Sequence, residues 1–128
     1  MKEKKRHGIS RSEAAGPIIG NFHVRPGVKV DVHLGRYGNG RLAVQLLAAE
    51  DGQDGDIMEG ETWAVLSVNL AHESDPGPRA FYAKTWSENA PLREPALASG
   101  LFIDTGQRSR ADFVEAELWQ FADTVNLP

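Results

Sequence analysis

Two segments of alternating apolar and polar residues, joined by a glycine-rich reversal, constrain the fold of this chain most strongly. Residues 28–34 and 42–46 each place valine or leucine at every second position. This period of two gives a strand one apolar face. The Gly-Asn-Gly triplet at 38–40 tolerates the positive φ angles that a tight reversal needs. The pattern predicts a β-hairpin with strands at 28–36 and 41–48, on whose apolar face the rest of the chain packs.

Shorter patterns predict the remaining elements. Pro95 is unfavourable inside a long helix, and Gly100 can end a short one in the left-handed conformation. Residues 112–125 fit two periods, and the helical period fits slightly better than strict alternation. The sequence therefore predicts an α+β fold, with one antiparallel sheet of about five strands and a short helix on it. The other expected strands are 18–24, 63–70, 80–86 and 101–104, and we expect a turn near 88–93 followed by a helix near 94–99.

Charge is distributed unevenly along the chain. The whole chain carries a net charge of −4, but its first eleven residues contain five basic side chains and one acidic one, so the remainder carries −8. We expect residues 1–16 to form a flexible basic tail and residues 17–128 to form a single acidic domain. An acidic domain repels nucleic acid. Contact with nucleic acid is therefore expected only through Lys2, Lys4, Lys5 and Arg6. A competing hypothesis is that the chain is a DNA-associated accessory protein that uses these residues.

The residue types present exclude several kinds of chemistry. The chain has no cysteine, which rules out disulfides, thiolate catalysis and sulfur-ligated zinc. Its four histidines lack the spacing of a metal site, and His33 falls on the polar face of its strand. We expect no cofactor. The sequence contains no apolar run of membrane-spanning length and no apolar signal segment, so a cytoplasmic location is expected.

An acidic loop at residues 50–61 is the most prominent candidate for binding. It could be aligned on a calcium-binding loop, but Gly52 then takes a ligand position without offering an oxygen-bearing side chain. It could also be a solvated loop. A third possibility is that its carboxylates imitate the phosphates of nucleic acid and enter a basic groove on a partner protein. The predicted partner-binding residues are these carboxylates and the two arginines beside the hairpin tip: Glu50, Asp51, Asp54, Asp56, Glu59, Glu61, Arg36 and Arg41.

One tripeptide suggests an enzyme. Residues 101–103 are apolar and lead into Asp104-Thr105-Gly106, the pattern of an aspartic protease half-site. That chemistry needs two aspartates that share a proton, so a chain of this size would have to act as a homodimer. Only 22 residues follow Gly106, which leaves no room for the flap and second motif of such enzymes. The alternative interpretation of this tripeptide is a strand that ends in a turn. A homodimeric protease in which Asp104 activates water is therefore kept only as a competing hypothesis.

Several segments, taken in order, resemble a family of small bacterial proteins of unassigned function from plasmids, integrative elements and phages. The similarity covers residues 28–121 and rests on residues 39–46, 64–70, 84–89 and 113–116. It implies a compact domain and an accessory role on a mobile element, and it favours a strand at 113–121. The resemblance implies no catalytic residue. Together these features predict a non-enzymatic binding protein, and one form of this hypothesis is an inhibitor of a host defence complex in the manner of anti-CRISPR proteins.

Overall fold

The computed structural model describes residues 16–52, 55 and 57–128. They form two four-stranded antiparallel sheets, ordered β1-β2-β3-β4 and β5-β6-β8-β7. A 3₁₀ helix at Ser87–Leu92 leads directly into helix α1 at Arg93–Ala98. The eight strands are β1 Ile18–Arg25, β2 Val28–Arg36, β3 Leu42–Ala48, β4 Thr62–Val65, β5 Ser67–Val68, β6 Ala80–Ala83, β7 Phe102–Ala111 and β8 Val114–Phe121.

The α+β prediction is confirmed, and the predicted hairpin forms: β2 has the expected bounds, and β3 begins one residue later than expected, at Leu42. Arg36 pairs with Leu42 next to the tip, and Val30 pairs with Ala48 at the open end. The reversal is closed by a hydrogen bond of 2.8 Å from the Gly40 amide to the Tyr37 carbonyl oxygen. Gly40 has a φ of 87°, which explains the glycine at this position.

The strand predicted at 63–70 is in fact two strands, β4 and β5, that belong to different sheets. Leu66 lies between them: its amide donates to the Val44 carbonyl oxygen (2.9 Å), and its carbonyl oxygen accepts from the Lys84 amide (2.7 Å). Strands that pass from one sheet to the next make the corners of packed sheets. The crossover at Leu66 therefore turns the predicted sheet of about five strands into two sheets of four.

The hydroxyl of Ser67 stabilises this crossover. Its Oγ accepts a hydrogen bond from the Val44 amide (2.9 Å) and lies 2.8 Å from the Tyr37 hydroxyl oxygen. Ser67 is only 4% exposed. The side chain thus supplies the acceptor that a continuing β4 would have given to β3.

Ser67→Ala is expected to lower the free energy of unfolding by about 1–2 kcal/mol, because the buried Val44 amide loses its acceptor. Urea unfolding followed by circular dichroism measures this difference. The matched control is Ser74→Ala, at an exposed position, which should change the free energy by less than about 0.5 kcal/mol. An equally small effect of Ser67→Ala would contradict the structural role of its hydroxyl.

Aromatic rings from both sheets form the centre of the core. Phe102 on β7 lies 6.3 Å, centroid to centroid, from Phe22 on β1, and 5.3 Å from Phe121 on β8. Phe81 and Trp119 complete the cluster. One continuous buried cluster contains these rings and the inward valines and leucines of the first sheet. The two sheets therefore share a single core.

The ambiguous C-terminal segment is a strand. Val114–Phe121 pairs with β7 on one side and β6 on the other, as the resemblance favoured. The strand expected at 101–104 extends to Ala111. The segment expected as a turn near 88–93 is the 3₁₀ helix, the helix expected near 94–99 is α1, and Gly100 follows α1 with a φ of 83°. The assignment of His33 to a polar face was wrong: it is 2% exposed, with Nδ1 3.0 Å from the Gly16 carbonyl oxygen.

The basic tail with Lys2, Lys4, Lys5 and Arg6 lies outside the described residues, as do Asp54 and Asp56 of the acidic loop. Within the described ranges, no helix is long and apolar enough to cross a membrane.

Candidate functional site

The acidic loop closes the end of the first sheet where β3 stops and β4 begins. The Gly52 amide donates to the Ile57 carbonyl oxygen at 2.8 Å, and the Ile57 side chain is buried. Asp51 Oδ1 accepts from the Glu59 amide (2.9 Å), and Glu61 Oε1 accepts from the Met58 amide (3.1 Å). Ile57 and these side chain–backbone bonds hold the described part of the loop against the sheet.

Exposed carboxylates concentrate at this end. Glu50, Asp51, Glu59 and Glu61 are all exposed, and in the described part of the chain none lies within ion-pair distance of a lysine or arginine. On β2, burial raises the pKa of Asp31; the nearby charges of His33 and Lys29 oppose this rise, and that of Glu59 adds to it. We refer to Asp31, Glu50, Asp51, Glu59 and Glu61 as the acidic end.

Arg36 and Arg41 lie at the opposite end of the hairpin. The seven residues of β3 separate them from the acidic loop, a distance of about 20 Å at the rise of an extended strand. Arg36 Nη1 donates to the Gly40 carbonyl oxygen (3.0 Å). Arg41 donates to the carbonyl oxygens of Leu70 (2.7 Å) and Glu73 (2.5 Å). The fold thus brings the loop carboxylates together but not the arginines, and Arg41 joins the hairpin tip to the 70–73 turn.

Asp104, the residue of the protease hypothesis, lies in a bulge of β7. The register between β7 and β8 shifts between Asp104 and Arg108, and Gly106 in the bulge has a φ of 89°. Asp104 Oδ1 accepts from the Gly106 amide (2.9 Å). Thr105 Oγ1 accepts from the Gln107 amide (3.2 Å) and donates to the Leu118 carbonyl oxygen (2.7 Å). Each residue of the tripeptide therefore has a local role in shaping the bulge.

Two arginines hold the Asp104 carboxylate. Arg108 Nη1 and Nη2 donate to its two oxygens at 2.9 and 3.0 Å, and Arg93 Nη2 donates at 3.1 Å. These bonds, led by that from Arg108, lower the pKa of Asp104 below its ordinary value. When two aspartates share one proton, one of the two has a strongly raised pKa. In the described chain Asp104 is therefore placed as an ion-pair partner.

A pH-dependent contribution to stability follows from this ion pair. Asp104 has a lower pKa in the folded chain than its ordinary value of 3.8, so the folded state binds its proton more weakly than the unfolded state. Its contribution is complete above the ordinary pKa and is lost as the pH falls through the folded-state pKa. We expect Asp104→Asn to cost about 1–2 kcal/mol at pH 7 and less at about pH 2, because part of this contribution is lost as the pH falls. Urea unfolding at both pH values measures this, and a pH-independent cost would contradict the role of the charge.

A second candidate site is a groove of about 400 Å³ beside the crossover. Trp63 and Val65 of β4 form one side, and Lys84 lies opposite together with Glu88 and Asn89 of the 3₁₀ helix. Lys84 Nζ pairs with Glu88 Oε2 at 2.8 Å, and this hydrogen bond lowers the pKa of Glu88 to about 2. The groove is lined by Tyr37, Trp63, Ala64, Val65, Ser67, Val68, Asn69, Lys84, Glu88 and Asn89.

Sequence reasoning missed this groove because its sides are far apart in the chain. One side depends on Asn89, whose side chain is directed at strand β4: Nδ2 donates to the Val65 carbonyl oxygen at 2.8 Å. Sequence reasoning also missed Phe113, which is 97% exposed in the turn between β7 and β8. A signal for Phe113 was present, since the turn between two strands leaves an aromatic ring little to pack against.

Comparisons with known proteins add no relative. No family model matches the sequence, and no match was found among curated proteins or solved structures. The resemblance to mobile-element proteins therefore stays a prediction. The described residues also contain no group of three histidine, aspartate or glutamate side chains placed to hold a metal ion.

Proposed function

We propose that this chain is a non-enzymatic accessory protein of a mobile genetic element that binds a partner protein through its acidic end. In this proposal the partner is a host defence complex that handles nucleic acid, and the chain inhibits it in the manner of anti-CRISPR proteins. The acidic end occupies the basic groove in which that complex would otherwise hold nucleic acid. Binding excludes the nucleic acid, so inhibition requires no reaction.

The concentration of exposed carboxylates at the acidic end supports this proposal. On and beside the second sheet, the carboxylates of Glu88, Asp104 and Glu117 each lie within 4.0 Å of a lysine or arginine nitrogen. At the acidic end, the four exposed loop carboxylates have no such cation in the described part of the chain. These carboxylates lie together at one end of the molecule, where their charge favours a basic partner.

The attachment of these carboxylates to the sheet also suits a protein that competes with nucleic acid. Asp31 lies in β2, while Glu50 and Glu61 flank β3 and β4, so the acidic end is attached to three neighbouring strands of one sheet. A preorganised charge array loses less entropy on binding than a flexible acidic tail. Electrostatic attraction of this kind raises the association rate and weakens with added salt.

A plasmid-interference assay tests the proposal. The chain is expressed in bacteria whose CRISPR or restriction system destroys a target plasmid, and transformation efficiency is measured. Wild-type protein should rescue transformation, and Glu50→Lys/Glu59→Lys should abolish the rescue. Neither substituted side chain makes a hydrogen bond in the described structure, so the fold should survive. Binding to the purified complex should weaken by at least about tenfold at low salt.

The matched control is Glu94→Lys/Glu115→Lys, which changes the charge equally at exposed positions on α1 and β8. This variant should retain the rescue. Equal loss in both double variants would contradict a role for the acidic end, and absence of rescue by wild type in every defence system tested would reject the inhibitor proposal.

The two competing hypotheses give different results. A DNA-associated protein would lose salt-dependent DNA binding when residues 1–11 are deleted, and the acidic-end variant would bind DNA at least as well as wild type. A protease would lose its effect in Asp104→Asn while the Glu50→Lys/Glu59→Lys variant kept it. We expect neither outcome, because the inhibitor needs the acidic end and needs no catalytic carboxylate.

A further inference from the structure

Strand β4 is the outer strand of the first sheet, and among the described residues no strand pairs with its outer edge. It pairs with β3 in the register Leu46 to Ala64, and the Leu66 amide continues that ladder to the Val44 carbonyl oxygen. In an antiparallel ladder the backbone groups of successive residues point to alternate sides. The amide and carbonyl groups of Val65, which lies between Ala64 and Leu66, therefore point away from β3 and into the groove.

Asn89 occupies part of this edge and adds a hydrogen-bond acceptor to it. Its side-chain amide donates to the carbonyl oxygens of Val65 (2.8 Å) and Lys84 (3.1 Å). Because both of those partners are acceptors, they fix which end of the side chain is nitrogen. Asn89 is 2% exposed, and within the described residues its Oδ1 accepts no hydrogen bond. A buried carbonyl oxygen without a donor is costly, and this one belongs to a residue that lines the groove.

The side chains around the edge are spaced for an extended ligand. Val65 is an exposed apolar residue, at 41%. Trp63 is half-buried, with the Arg25 guanidinium 5.7 Å from the centre of its ring. Tyr37 lies at the other end of the groove, and the Lys84–Glu88 ion pair leaves little net charge in it. Apolar surface that flanks free backbone groups is typical of sites where a peptide adds as a strand.

We infer that this groove binds an extended segment of a partner polypeptide, which adds to β4 as a further strand. A backbone carbonyl oxygen of the segment accepts from the Val65 amide, and a backbone amide of the segment donates to Asn89 Oδ1. Polypeptide backbone carries donors and acceptors in alternation, which matches the Val65 amide and Asn89 Oδ1, neither of which has a hydrogen-bond partner among the described residues. The near-neutral groove does not attract a charged ligand. This site is separate from the acidic end, and the inference does not depend on the proposed function.

A second copy of the chain fits the edge less well. Pairing of β4 with its own symmetry mate would require the Val65 carbonyl oxygen of each copy, and Asn89 already occupies that atom. A short segment of another polypeptide can begin its pairing at the Val65 amide and leave the Asn89 side chain in place.

Phage display tests the inference. Peptides are selected from a random twelve-residue library on the immobilised full chain and are then synthesised for binding measurements. Val65→Pro removes the outward amide without removing a hydrogen bond to β3, and it should raise the Kd by at least about tenfold. The matched control Val65→Thr keeps the amide and a β-branched side chain, and it should change the Kd by less than about twofold.

A second measurement on the wild-type chain gives a result even where Val65→Pro fails to fold. Single N-methylation along the selected peptide should weaken binding at every second residue, since only alternate amides of an added strand face the protein. The inference is overturned when no peptide is selected, or when N-methylation has no alternating effect. It is also overturned when light scattering shows a dimer that Val65→Pro dissociates, because the edge is then covered by a second copy.

Discussion

Phe102→Ala is expected to lower the free energy of unfolding by about 3–5 kcal/mol, the cost of removing a fully buried aromatic ring. Phe102 is 3% exposed, and its ring lies within 6.3 Å, centroid to centroid, of the rings of Phe22, Phe81, Trp119 and Phe121. Phe22 belongs to the first sheet and the other three to the second. The substitution therefore removes contacts that hold the sheets together as well as contacts within one sheet.

The neighbouring residue is the control for this experiment. Ile103 is 45% exposed and points to the opposite face of β7, so Ile103→Ala should cost less than about 1 kcal/mol. Equilibrium unfolding in urea gives both values from the midpoint and slope. A typical domain has only about 5–15 kcal/mol of stability, so Phe102→Ala should leave the chain marginally folded. Equal costs for the two substitutions would show that the inward and outward faces of β7 are assigned wrongly.

Glu117→Ala is expected to have the second largest effect, a loss of about 2–3 kcal/mol. The Glu117 carboxylate is 12% exposed and accepts from Arg93 Nε at 2.9 and 3.1 Å. It also accepts from Trp119 Nε1 at 2.9 Å, and the Trp119 side chain is completely buried. Removal of the carboxylate leaves a buried indole N–H without an acceptor. The cost is below that of a fully buried pair because the Arg93 side chain is 33% exposed.

Glu115→Ala is the matched control, since Glu115 carries the same charge two residues earlier on the same strand and is exposed. Its cost should be below about 0.5 kcal/mol. Thermal unfolding at low and high salt separates the two contributions to the Glu117 effect, because salt screens the ion pair but not the bond to the indole. If Glu117→Ala cost no more than the control, the hydrogen bond to Trp119 would not be a net stabilising contact.

Local patterns in the sequence determined a large part of the secondary structure. The alternation in residues 28–34, the Gly-Asn-Gly reversal and Gly100 after α1 are short-range features. Each specifies a backbone conformation without reference to distant residues. The acidic loop could be recognised for the same reason, since its charges are consecutive in the chain. These features supported the α+β class, the hairpin and the position of the helix.

Only the tertiary structure decided how the strands combine. In the sequence pattern, Leu66 lies in the middle of one predicted strand. In the structure its backbone hydrogen bonds join it to Val44 of one sheet and to Lys84 beside the other. Both partners are 18 or more positions away in the sequence. Residues 114–121 fit helical and strand periods alike, and their pairing with β6 and β7 selected the strand. The groove depends on Asn89 reaching Val65. Pairings of this kind are contacts between distant segments, whose free energy depends on the whole core and leaves no period in the local sequence.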